Sequence, residues 1–137
     1  MAEPPPRRFT REQVDGLIPR LSAILTRVKG AQEEAKRLRD ALREDQRRVM
    51  MAGGMLISAE SWRSRRATLE RATTMIQRGL GEVLEMGGEP KDLDLGLVDF
   101  RGLVGGREVN LCWKLGEDRV GFWHGLNEGY ASRQPLP

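Results

Sequence analysis

The chain has 137 residues, of which 39% are hydrophobic and 31% charged, a balance that suits exposed helices around one modest core better than two deep ones. No run approaches the ~20 apolar residues of a membrane span, and the single cysteine excludes an internal disulfide framework. Lys and Arg number 23 against 20 Asp and Glu, leaving a net charge of only +3.

That excess is spread rather than gathered. Between Ala31 and Arg48 six bases alternate with five acids, the pattern of a solvated, salt-bridged helix face. A phosphate-binding surface needs a net excess on one side, so these arginines weigh against a nucleic-acid partner. The expectation is one domain over residues 9–137 in a cytoplasmic protein. The first ten residues, MAEPPPRRFT, carry no apolar run behind their arginines and do not read as a secretory leader.

Residues 1–8 read as a disordered, proline-rich tail. Thr10 and Gln13 have the spacing of a capping box, with Phe9 placed to staple onto Val14. From Val14 to Val49 apolar residues recur at near-heptad spacing, so an amphipathic helix of coiled-coil character is expected over 9–49. Pro19 lies inside it and predicts a kink near Asp15–Pro19. Gly53-Gly54 signals a turn, and Ser58 or Ser61 can cap a second helix over 59–86. Trp62, Leu69, Ile76 and Val83 fall at intervals of seven along it, and Gly87-Gly88 with Pro90 ends it. Two such helices make an antiparallel hairpin.

From Asp92 the period shortens to two. The runs LDLGLVDF, REVNLCW and RVGFWH are separated by glycine turns, which predicts a three-stranded antiparallel meander followed by an irregular tail over 92–137. The fold class expected is therefore α+β: a long helical hairpin followed by a small antiparallel sheet.

Zinc-type cysteine pairs, HExxH, GxSxG and a phosphate loop are all absent from the sequence. Unusual residues concentrate instead in the last third: Cys112, Trp113, Glu117, Trp123, His124, Glu128, Tyr130 and Arg133. Trp123, His124, Glu128 and Arg133 are candidate ligand-binding residues. Cys112, Glu117, His124 and Glu128 are candidate metal ligands, because thiolate, imidazole and carboxylate are the donors that hold a divalent cation. Cys112 and His124 alternate out of step with one another along their runs, so they share a face only if the strand register permits it. Arg133 is expected to clasp Glu117 or Glu128, tying the tail to the sheet. The bland alternative is a buried, inert cysteine and a histidine hydrogen-bonded at a sheet edge. No catalytic residue is assigned.

The segments GLVDF, GREVNLCWKLGED, VGFWH and EGYASRQPL resemble the C-terminal signature of the family called domain of unknown function 2203. The opening FTREQVDGLIPRL, with its inner Pro19, resembles that family's first helix, and the resemblance runs from Phe9 to Leu136. It implies a bacterial or other prokaryotic protein of a family without an established activity. The chain departs from the pattern at Gly125, where the family has an acidic residue, and at Ser132, where it favours glycine. The leading expectation is a non-enzymatic, self-associating homo-oligomer with no required cofactor. The alternative is a small-ligand or metal-ion site at the sheet around His124.

Overall fold

The computed structural model describes residues 7–51 and 58–137. The tail expected over 1–8 therefore lies outside the described residues except for Arg7 and Arg8, and the Gly53-Gly54 turn lies outside them as well. Helix α1 (Arg11–Met51) and helix α2 (Ala59–Glu85) precede five strands: β1 (Glu89–Asp92), β2 (Leu97–Val104), β3 (Arg107–Lys114), β4 (Phe122–His124) and β5 (Gln134–Pro135). The expected α+β class holds, with a sheet of five strands rather than three. Among the described residues no helix is long and apolar enough to cross a membrane.

Among the described residues the fold forms two compact units, one running to Thr26 and resuming over Leu80–Pro137, the other lying within Arg27–Gly79. In the second unit the later part of α1 packs antiparallel to α2. Ala31 and Ala35 meet Ala72, flanked by Leu69 and Ile76, and Asp45 pairs with Arg65. Small side chains let the two helices approach closely but bury little apolar area. The outer face of α1 carries Glu44 bonded to Arg47 and Arg48 at 3.1 and 3.5 Å, as the interleaved charges predict.

The first unit holds the sheet. The capping box forms reciprocally: Gln13 N donates to Thr10 Oγ1 at 3.1 Å, and Thr10 N to Gln13 Oε1 at 2.9 Å. The helix then runs through Pro19 without a break. Phe9 N donates to the Arg101 carbonyl at 2.7 Å, and the Phe9 ring meets Phe100 edge-on at 5.0 Å. Gly87 has φ +93°, and a Cβ there would stand 2.4 Å from the Phe9 ring, so glycine at this helix end satisfies both the left-handed turn and the close approach.

All strands are antiparallel, in the order β1-β2-β3-β4-β5. The two additional strands are the outer ones. Gly105 and Gly106, both at positive φ, make the tight β2–β3 hairpin. In the β2–β3 register Val98 faces Trp113, Phe100 faces Leu111 and Gly102 faces Val109, and the five side chains other than the glycine belong to the core with Val14, Leu21, Ile24 and Val83. The other face carries Asp99 opposite Cys112 and Arg101 opposite Asn110.

Candidate metal centre

Register decides which polar side chains meet. On β2 the core alternation of Val98 and Phe100 forces Asp99 to the opposite face. On β3 the alternation of Leu111 and Trp113 sends Cys112 and Asn110 to that same face. His124 pairs with Asn110, and Phe122 with Cys112. His124 is thus the diagonal neighbour of Cys112, within side-chain reach. The donor atoms of Asp99, Cys112 and His124 all lie within 4.8 Å of one another. All three residues are buried, with relative exposures of 2%, 1% and 2%.

Hydrogen bonding orients the imidazole. The Nδ1 atom of His124 lies 2.9 Å from the Gly125 carbonyl oxygen. A carbonyl only accepts, which assigns the proton to Nδ1 and turns Nε2 toward the cluster. Nε2 stands 3.0 Å from Asp99 Oδ2, close enough for an ion pair but off the line of a hydrogen bond. Among the described residues no well-aligned hydrogen bond reaches either Asp99 oxygen, although the His124 ring and the Cys112 thiol both face the carboxylate and offset part of its burial. A buried carboxylate without satisfied oxygens is costly.

The electrostatics follow from that burial. Burial pushes the Asp99 carboxyl above its usual range, opposed by His124. Burial, reinforced by the Asp99 charge, pushes the Cys112 thiol up to about 12. Without a cation Cys112 is therefore a protonated thiol at neutral pH rather than a nucleophilic thiolate.

A cleft of about 360 Å³ reaches the cluster at Asp99 and is also lined by Arg7, Gly88, Glu89, Arg101 and Asn110. A larger groove of about 630 Å³, lined by residues including Glu12, Arg20 and Met86, contains none of the three donors; its size alone gives it no chemistry.

The family model of the uncharacterized conserved proteins of domain of unknown function 2203 matches residues 7–136. The chain belongs to this family. No curated protein and no solved structure matches it.

In this member of the domain of unknown function 2203 family, the other candidates named from the sequence stand apart from the cluster. Glu117 Oε1 accepts from Lys114 N at 2.8 Å and pairs with Arg133. Glu128 Oε1 accepts from Gly125 N at 2.8 Å, closing the turn after β4. Arg133 takes Glu117 rather than Glu128, donates to the Cys112 carbonyl at 3.3 Å, and stacks 3.9 Å over the Phe122 ring. It therefore ties the tail to β3 and β4. Trp123 pairs with Leu111 on the opposite face, its ring beneath the Arg107 guanidinium at 5.7 Å rather than beside Arg133. Asp99 was not among the candidates. The signal available for it was a lone acid inside the apolar run LGLVDF.

Proposed function

We propose that this protein binds one divalent cation, zinc by donor type, through Asp99, Cys112 and His124. The observation that carries the reading is the buried convergence of one carboxylate, one thiol and one imidazole nitrogen within 4.8 Å, with no well-aligned hydrogen bond to either carboxylate oxygen among the described residues. Oxygen, sulfur and nitrogen donors together suit Zn²⁺, whose bonds of about 2.0–2.3 Å call for only small side-chain shifts from this spacing. Charge supports the assignment as well. Zn²⁺ with one thiolate, one carboxylate and a neutral imidazole sums to zero, which a buried site tolerates far better than a bare carboxylate. The bond from Nδ1–H to the Gly125 carbonyl is the outer contact that fixes a ligating histidine. Three protein ligands leave one position open, the arrangement of zinc sites that act on a ligand rather than of closed structural sites.

Equilibrium dialysis with metal analysis tests the proposal. One zinc per chain is expected, with affinity at least tenfold weaker in His124→Ala and Cys112→Ser. Equal zinc binding by wild type and both variants would refute it.

A second reading, self-association through the helices, draws support from exposed apolar side chains in the Arg27–Gly79 unit, Trp62 at 39% and Met75 at 49% exposure. Light scattering at micromolar concentration tests it: a mass above that of one chain supports it, and a monodisperse monomer removes it.

A further inference from the structure

Beside the donors on the same sheet face, Arg101 and Asn110 line the same cleft as Asp99. Arg101, Asn110 and His124 stand side by side across β2, β3 and β4. Asn110 is only 7% exposed and lines the cleft with Asp99 and Arg101. An amide at the wall of a cleft is the kind of group that orients a bound ligand. Arg101 is held only loosely, 3.9 Å from Glu108, whose other oxygen already takes Arg8 at 2.9 Å. Arg7, exposed over the Phe9 ring at 5.2 Å, lines the same cleft. Glu89 is the acid on the rim besides Asp99, and Lys91 binds it at 2.9 Å. Two guanidinium groups and an amide thus border the cleft that Asp99 lines. A cleft of about 360 Å³ admits a small molecule.

We propose that this cleft binds the oxyanion group of a small molecule, a phosphate or a carboxylate, with one oxygen on the open position of the cation and the others held by Asn110 and Arg101. The inference rests on the cation reading above. It gives each group one task. Asn110 Nδ2 donates to an oxyanion oxygen, Arg101 forks onto it and supplies charge, and the cation polarises it. Asp99 occupies the boundary between the two sites, lining the cleft while holding the cation.

The test uses protein loaded with one equivalent of zinc and freed of excess metal, titrated calorimetrically with inorganic phosphate and, separately, with acetate. Saturable binding of either probe is expected, and the tighter of the two identifies the group recognised. The same probe should bind at least tenfold more weakly to metal-free protein, and at least tenfold more weakly to zinc-loaded Asn110→Asp and Arg101→Met, while both variants keep one zinc per chain. Full zinc occupancy without saturable binding of either probe overturns the oxyanion site and leaves the cation reading standing. Binding unchanged in both variants places the anion elsewhere and also overturns it. Absence of zinc from the wild-type protein overturns both.

Discussion

His124 turns one ring nitrogen to Asp99 and the other to the backbone: Nε2 lies 3.0 Å from Asp99 Oδ2 while Nδ1 is committed to the Gly125 carbonyl. A carboxylate and an imidazole so placed serve equally as a structural pair or as two thirds of a cation site. The two roles separate because a structural pair loses stability when it is broken, whereas a cation site loses its metal.

Asp99→Asn makes that separation. It keeps the volume and replaces a buried carboxylate, reached by no well-aligned hydrogen bond among the described residues, with a neutral amide beside His124 Nε2. The expected change in metal-free stability is below about 1 kcal/mol, whereas breaking a buried structural ion pair costs about 3–5 kcal/mol. Zinc at 100 times its dissociation constant should stabilise the wild type by about 2.7 kcal/mol and leave Asp99→Asn unmoved. Denaturant melts with and without zinc read both quantities.

Alkaline stability follows from Cys112. Its thiol is pushed from 9.0 up to about 12 by burial, so between those values the folded chain keeps a proton that the unfolded chain has released. The unfolded state then binds fewer protons, and metal-free stability must fall as pH rises through that window. Cys112→Ala should remove this part of the fall. Zinc should oppose it, because the cation has already displaced the thiol proton. Melting temperatures from pH 8 upward in buffers with and without zinc check the sign.

Some of this was legible in the chain and some was not. The α1 start was readable because Thr10 and Gln13 carry the capping chemistry in their own side chains. The β2, β3 and β4 runs were readable from alternation. Strand β1, Glu-Pro-Lys-Asp, was not, because a polar segment with a proline gives no strand signal and forms only as an edge paired to β2. Strand β5 is two residues including Pro135 and depends on β4 for its existence. The cluster was half legible: Cys112 and His124 stood out as single residues of their kind, but only the pairing of Asn110 with His124 decides that they share a face. Asp99 was hidden by apolar neighbours whose alternation is what turns it inward to the site. Glu117 and Glu128 looked equivalent to it, yet their carboxylates close local turns.

Arg133 should matter for stability and not for metal stoichiometry. Its guanidinium joins Glu117, the Cys112 carbonyl and the Phe122 ring, contacts whose planar fork lysine does not reproduce. Arg133→Lys is expected to cost about 1.5–3 kcal/mol, the range for a hydrogen bond to a charged group, while one zinc per chain is retained. Chemical denaturation and metal analysis on the same preparation check this. Loss of zinc without loss of stability would instead make Arg133 part of the site.

At the other end of the unit, Thr10→Ala should destabilise by about 1 kcal/mol through the lost cap. Thr10→Ser should restore most of it, since the hydroxyl is the bonded group. Thermal melts of the two variants read the difference, and equal melting temperatures would mean that the helix start rests on the Phe9 contacts alone.

The absorption spectrum of the protein titrated with Co²⁺ tests the central claim most directly, because a cobalt–thiolate bond gives a near-ultraviolet charge-transfer band that carboxylate and imidazole ligands do not. The expected result is a band that saturates at one cobalt per chain, disappears in Cys112→Ser and is bleached by an equivalent of zinc. Saturation with cobalt without that band, or a band unchanged in Cys112→Ser, would contradict a cation held by Asp99, Cys112 and His124.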